Sequence, residues 1–313
     1  MRANWKLAAG GAALLAAGLS AHLRTRSALR AHPPLGGFVE AHGLRLHYME
    51  KGQGPALVLL HGLGSMVEDF VSSGLLERLA ASYRVIAFDR PGYGHSDAAP
   101  RRLAWPSRQA QVLREALHKL NVRHPIVLGH SWGSLVALAF ALRYPGAVRS
   151  IALVSGYFFP TLRLDAPLLS PPGIPLVGDL LRFSVSPWFG RFLWPVFLGV
   201  IFAPARAPRR GPVPKWLALR PAQLKAVGAE SLLTVPAAWA LSRRYRELTL
   251  PMCIVAGAQD RYVSPRSHSV RLKGMLRQSR LMLVPGAGHM VHHTHPGAIV
   301  SALEALQMPA IAP

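Results

Sequence analysis

Two hydrophobic periods alternate along the chain. From residue 38 to residue 50 apolar and polar positions take turns on either side of His42-Gly43. That two-residue period belongs to half-buried strands and predicts a hairpin with strands at 38–41 and 44–50. Short, largely apolar runs then recur at 57–60, 84–88, 125–128, 150–155, 252–256 and 280–284. Their length and continuity suit strands buried on both faces. Between them, apolar residues three and four apart predict helices at 72–81, 107–121, 131–143, 265–274 and 296–306. Buried strands alternating with amphipathic helices imply an α/β fold, with a mostly parallel central sheet of about eight strands covered by helices on both faces. Ligands of such sheets bind beyond the carboxyl ends of the strands, so functional residues are expected just after strands.

Two stretches break the alternation. Residues 1–31 hold the uncharged apolar run 7–23, preceded by Arg2 and Lys6 and followed by Arg24, Arg26 and Arg30. This run reads as a membrane anchor or a secretory signal, although it is short for a span, which needs about 20 apolar residues. Residues 156–245 are rich in proline and aromatics, with breaks between short helices at Pro171-Pro172 and at 212–214. The regular core is therefore expected at 32–155 and 246–313, with 156–245 inserted into it. Within the insertion, "PWFGRFLWPVFLGVIFA" carries the single charge Arg191. It is a candidate lining for an apolar pocket, or a surface that dips into a membrane.

The junction "IVLGHSWGSLVALAFALRYP" sets a polar hydroxyl, Ser131, between an apolar strand and a helix, with Gly129 and Gly133 two residues away on each side. Gly129-His130-Ser131-Trp132-Gly133 fits G-x-S-x-G, the sharp strand-to-helix turn that lifts a nucleophilic serine out of a sheet. A serine alcohol needs a base to take its proton. In this arrangement the acid and then the histidine follow the serine along the chain, at the ends of later strands. "GAQDRYVSP" supplies Asp260, and "PGAGHMVHHTHP" supplies His289 as its first histidine. An oxyanion site then requires two backbone N–H groups. The candidates are those of Trp132, next to the serine, and of Leu63 in "HGLGS" after the 57–60 strand. His61 is expected to prop that loop. Asp89 is expected to make a local structural hydrogen bond, Gly92 and Gly94 to shape an entrance, and Ser134 to back-bond within its helix.

Composition changes this picture little. The formal charge is +22, from 36 Lys and Arg against 14 Asp and Glu, which favours anionic partners. No dense basic run with interleaved aromatics occurs, so no nucleic-acid partner is expected. The lone Cys253 excludes an intramolecular disulfide, and its apolar setting "MCIVAG" suits an inert buried thiol. His289, His292, His293 and His295 cluster without an H-E-x-x-H pattern or a cysteine partner. They are expected in a solvated loop, and no metal site is expected.

The segments "LLHGLGS", "VIAFDRPGYGHSD", "VLGHSWGS", "IVAGAQDRYVSP" and "VPGAGHMVHHTHP" resemble the α/β-hydrolase superfamily over roughly residues 38–155 and 246–310. The resemblance implies an α/β-hydrolase fold in which 156–245 forms a helical cap over the site. Haloalkane dehalogenases and epoxide hydrolases of that superfamily carry an aspartate nucleophile, whereas Ser131 is similar to the nucleophile of its esterases, lipases, peroxidase-like hydrolases, C–C bond hydrolases and aminopeptidases, which the elbow does not separate. The expected function is a serine hydrolase that cleaves a carboxylic ester with an apolar acyl group through an acyl-enzyme, using Ser131, Asp260 and His289 and no cofactor. Acyl transfer or C–C bond hydrolysis on the same triad, or a non-catalytic ligand-binding role, are the alternatives. The expected partner is a small hydrophobic ester. Membrane association through residues 7–23 is expected, with export after cleavage or a cytoplasmic location as alternatives.

Overall fold

The computed structural model describes residues 2–307. Eight strands form one sheet: β1 (Gly37–Ala41), β2 (Leu44–Lys51), β3 (Ala56–Leu60), β4 (Arg84–Phe88), β5 (Ile126–His130), β6 (Ser150–Val154), β7 (Met252–Gly257) and β8 (Ser279–Val284). Their spatial order is β1-β2-β4-β3-β5-β6-β7-β8. β2 runs antiparallel to β1 and to β4, and every other neighbouring pair is parallel. The hairpin turns at His42-Gly43, where φ is 51° and 70°. Two successive positive φ values give the turn whose twist matches the flanking strands.

Alternate side chains of the central strands feed two cores. Val58 and Leu60 of β3 face one side, while Leu57 and Leu59 face the other, and all four are buried. The helices are α1 (Arg2–Ala31), α2 (Val67–Ser72), α3 (Leu75–Ala80), α4 (Pro106–Lys119), α5 (Gly133–Arg143), α6 (Ala166–Leu169), α7 (Val177–Phe183), α8 (Ser186–Phe202), α9 (Lys215–Ala218), α10 (Pro221–Ser242), α11 (Arg271–Met275), α12 (Val291–Thr294) and α13 (Pro296–Gln307). On the first face pack residues of α4 and α5, with Val136, Leu138 and Phe140 fully covered. On the second pack α3 and α13, through Leu75, Leu79, Ile299 and Leu303.

Two predicted helices form differently. The helix expected at 72–81 begins later, as α3, because Gly74 takes a left-handed conformation (φ 71°) that separates it from α2, a helix not expected before it. The helix expected at 265–274 opens with one π-helical turn, Arg266–Val270, before α11. That turn carries His268, a buried imidazole with its own role.

The chain between β6 and β7 leaves the sheet and holds α6 to α10. Its first residues, Phe158 and Phe159, are still in the sheet's core. α10 is fastened to the core by a buried ion pair: Arg90, just after β4, donates to both carboxylate oxygens of Glu230 at 2.5 and 3.0 Å. α1 is a single helix of 30 residues, about 45 Å long at its standard rise. It packs on α7, α8 and α9. Trp188 Nε1 donates to the Ala17 carbonyl at 3.1 Å, and Arg24 lies over the rings of Trp188 and Trp216. A side chain at Gly18 would meet the Phe183 carbonyl at 2.8 Å, so glycine allows the two helices to approach. Among the described residues no single helix is long and apolar enough to cross a membrane. The bent pair α7 and α8 reaches that length and composition together.

Candidate active site

β5 ends at His130 and α5 begins at Gly133, so Ser131 and Trp132 alone make the turn. Ser131 adopts φ 51°. This left-handed conformation is uncommon for a residue with a side chain, and such strain marks functional sites. The surroundings hold it there. The Ser131 N–H donates to the Val154 carbonyl at 2.8 Å. A Cβ on Gly129 would lie 2.5 Å from the Gly133 carbonyl oxygen and 2.6 Å from Ser134 Cα, and one on Gly133 would overlap the Leu60 carbonyl. The two glycines thus let the helix pass over the strand end. They also leave Ser131 at the amino end of α5, where the helix dipole favours negative charge.

The structure brings together the three side chains expected from sequence. Ser131 Oγ lies 2.9 Å from His289 Nε2, and His289 Nδ1 lies 2.8 Å from Asp260 Oδ2. The other Asp260 oxygen accepts the N–H groups of Tyr262 and Val263 at 2.8 and 2.9 Å. Both carboxylate oxygens are therefore engaged, and the acid cannot swing away. An ionised Asp260 fixes the proton of His289 on Nδ1, which leaves Nε2 to accept from the serine. All three residues are buried, at 7%, 6% and 3% exposure, so water competes little for these bonds. Tyr262 presents its ring edge-on to His289 at 4.9 Å.

Leu63 lies beside Ser131 in the wall of one pocket, with Gly62, Gly64 and Ser65. Neither the Leu63 nor the Trp132 N–H donates to any group among the described residues. Two N–H groups left free beside the candidate serine are what an oxyanion site requires. The loop that carries Leu63 is braced from behind. Arg90 N–H donates to His61 Nε2 at 3.0 Å, and the Arg90 guanidinium donates to the carbonyls of His61 and Gly62. His61 Nδ1 is 2.8 Å from the Gly62 carbonyl, which it can reach only as a donor. Burial, with Arg90 alongside, lowers the His61 pKa to about 3, so it stays neutral and is unsuited to be a second base. Asp89 holds the same region, accepting from Val67 and His95 N–H and pairing with His47 Nδ1 at 2.7 Å. Ser134 Oγ back-bonds to the Gly129 carbonyl at 2.7 Å. Burial pushes the Cys253 thiol up to about 12, as suits an inert side chain.

Two expectations need correction. Gly92 and Gly94 do not shape an entrance. A Cβ on Gly94 would overlap the Asp89 carboxylate, and one on Gly92 would come within 2.9 Å of Ala226, so Gly94 makes room for Asp89 and Gly92 for α10. The histidines after His289 are not in a solvated loop either. His292 is 1% exposed, and α12 turns it inward against Phe70 and His130. Asp69 of α2 meets His292 and His293 there. Sequence reasoning also passed over Glu230, which joins Arg90 to Tyr93 and Gln109. The available signal was an acid flanked by Ala229 and the apolar run that follows Ser231.

A second cavity, of roughly 340 Å³, lies among α6 to α10, lined by Leu168, Val185, Phe189, Leu193, Leu219 and Val227 among others. Leu63, Gly64, Trp194 and Phe197 line both this cavity and the pocket over Ser131. The space directly over the serine is only about 40 Å³.

A strand-elbow-helix serine, a later acid and a histidine on a β1-β2-β4-β3-β5-β6-β7-β8 sheet define a class. The chain belongs to the alpha/beta hydrolase fold family, whose profile matches residues 55–296. It is a hydrolase of that fold. It is 32% identical to the pimeloyl-[acyl-carrier protein] methyl ester esterase of Aeromonas hydrophila, over 81% of this chain and 95% of that one. Among solved structures, a thermophilic esterase from Thermogutta terrifontis superposes with a TM-score of 0.72 at 18% identity, covering 87% of this chain and all of that one. A membrane phospholipase A, a bacterial virulence factor, gives 0.69 at 21% identity and covers 97% of both chains. At these identities the two structures testify to the fold alone.

Proposed function

We propose that the protein is a serine esterase acting on carboxylic esters with a long apolar acyl group. The observation that carries this reading is the relay from Ser131 Oγ through His289 to Asp260, at 2.9 and 2.8 Å. Ser131 Oγ attacks the acyl carbon while His289 Nε2 takes its proton, and the carbonyl π electrons move onto oxygen. The Leu63 and Trp132 N–H groups donate to that oxyanion. As it collapses, the C–O bond to the alcohol breaks and the leaving oxygen takes the proton from His289. Water, deprotonated by the same nitrogen, attacks the acyl-enzyme, and the acid departs as Ser131 recovers its proton. Asp260 orients the imidazole and stabilises its charged form.

The substrate side of the proposal rests on the cavity under the cap, whose walls are almost wholly aliphatic and aromatic. Its volume falls in the range of about 300–1,000 Å³ usual for ligand pockets. It adjoins the serine pocket through four shared wall residues, which suits an acyl group extending from the serine into the larger, apolar space. The ester chemistry of the Aeromonas relative agrees with this reading.

We further propose that the protein works at a membrane surface. Leu15, Leu19 and Leu23 of α1 and Leu180, Phe192 and Val196 of the cap are at least half exposed. The basic residues Arg24, Arg26 and Arg30 follow the apolar part of α1 and suit anionic headgroups. Ser131→Ala should lower kcat for ester hydrolysis by about 10⁶ and abolish labelling by a fluorophosphonate. Unchanged turnover in this variant would end the serine-esterase reading. Activity should be higher on long-chain than on short-chain esters, and Leu193→Trp, which fills the cavity, should invert that order. Deleting residues 1–31 should release the protein from anionic vesicles. Undiminished vesicle binding by the deleted form would refute the role of α1.

A further inference from the structure

The chain buries more imidazole than the triad uses. The ring centroid of His130 is 5.1 Å from that of His289 and 4.2 Å from that of His292, and His292 is 4.7 Å from His293. Asp69 closes this row and is fully buried. Its Oδ1 is 2.6 Å from His293 Nε2, and its Oδ2 is 3.1 Å from His292 Nε2. One potential ligand atom from each of Asp69, His292 and His293 lies within 4.8 Å of the others.

Ion pairing with Asp69 leaves part of this arrangement unused. A buried carboxylate needs a countercharge, yet among the described residues no lysine or arginine pairs with Asp69. His293 Nε2 lies within hydrogen-bonding distance of Asp69 Oδ1. That leaves His292, which is close to Asp69 but not aligned to donate. Neither of its ring nitrogens has a hydrogen-bond partner among the described residues, and both are sealed from solvent. Unpartnered buried polar atoms are rare and each needs a reason.

We propose that Asp69, His292 and His293 bind a divalent transition-metal ion of the zinc type. Two imidazole nitrogens and one carboxylate are a borderline donor set that suits zinc and its neighbours. Calcium and magnesium call for more oxygen ligands than these residues offer. Ser65 Oγ donates to Asp69 Oδ2 at 2.7 Å, the kind of outer hydrogen bond that orients a ligating carboxylate. Asp69 and Ser65 both line the pocket over Ser131, so the cluster adjoins that pocket on its Asp69 side. The site spans two elements. α2 follows the loop that holds Leu63, and α12 follows His289. The ion would clamp the loop carrying the oxyanion donor to the loop carrying the base.

The test uses tag-free, full-length protein stripped with a chelator and titrated with Zn²⁺ and with Co²⁺. One equivalent of Zn²⁺ should bind with a Kd in the micromolar range or below, read by competition with a chromophoric chelator. Co²⁺ should give the visible absorption of a low-coordinate nitrogen and oxygen site. Asp69→Asn and His293→Gln should each weaken binding at least about 10-fold, whereas His295→Gln should leave it unchanged. Absence of binding and of a Co²⁺ band up to millimolar metal would overturn the proposal, leaving an ion pair alone. Equal affinity in His293→Gln and the parent would do the same, since the metal would then sit elsewhere. The Co²⁺ spectrum of the parent decides the matter even where a variant fails to fold. None of these readouts depends on ester hydrolysis, so they stand apart from the fate of the esterase reading.

Discussion

Glu230→Ala tests how the cap is held and what that does to the site beneath it. Arg90 and Glu230 are each about 1% exposed at the side chain, so their pairing is not screened by water. Glu230 accepts two bonds from Arg90, one from Tyr93 Oη at 2.6 Å and one from Gln109 Nε2 at 2.7 Å. Truncation strands one buried cation and two neutral donors. Removing one partner of a buried pair costs about 3–5 kcal/mol, chiefly because the other charge stays uncompensated. The expected loss is therefore about 4 kcal/mol in urea unfolding, from a total of about 5–15 kcal/mol for a domain. Activity should fall in parallel under conditions where the variant is still folded, because the same guanidinium holds the carbonyls of His61 and Gly62 behind the candidate oxyanion loop. Arg90→Met combined with Glu230→Leu removes both charges, and it should recover most of the stability but not the activity. A loss below about 0.5 kcal/mol for Glu230→Ala, the size of an ordinary surface change, would show that the pair does not fasten the cap.

His289→Ala should cost nearly as much kcat as loss of the serine, and Asp260→Ala less, about 10⁴, with no additivity in the triple variant, as single-turnover kinetics would show. Gly129→Ala should destabilise the fold by about 1–3 kcal/mol in chemical denaturation, because its Cβ has no room beside Gly133 and Ser134; an unchanged midpoint would contradict the elbow packing. His268 gives a pH signature. Burial, with Arg163 nearby, lowers its pKa from 6.5 to about 4, and Nδ1 accepts the N–H groups of Phe158 and Phe159 at 2.9 and 3.2 Å. Between pH 6.5 and 4 the unfolded chain therefore binds a proton that the folded chain refuses, so stability falls as pH falls, by about 3 kcal/mol across that window. His268→Gln should remove this slope; parallel stability curves for variant and parent would refute the assignment.

What was legible in the sequence had a local signature. The parallel sheet was readable because buried strands are short apolar runs, and the elbow because a five-residue turn needs glycine at both ends. Asp260 and His289 were nominated by rule, since strand ends are where a later acid and base can reach a serine, and both do lie beside Ser131. The break at Gly74 was missed because apolar spacing continues across it, and only the positive φ shows that the helix stops. The polar cores were illegible for a different reason. Arg90 and Glu230 are 140 positions apart, and Asp69 and His293 are 224 apart. No period along the chain announces such a partner. Each acid can be noticed only as a charge on a face that otherwise faces inward: Asp69 between Val67 and Phe70, Glu230 before a run of leucines. A charge in that position must be neutralised by something brought from elsewhere. For Glu230 that is Arg90, which braces the candidate oxyanion loop. For Asp69 the two imidazoles beside it leave one nitrogen donor more than an ion pair uses, and that surplus is what a metal ion would take up.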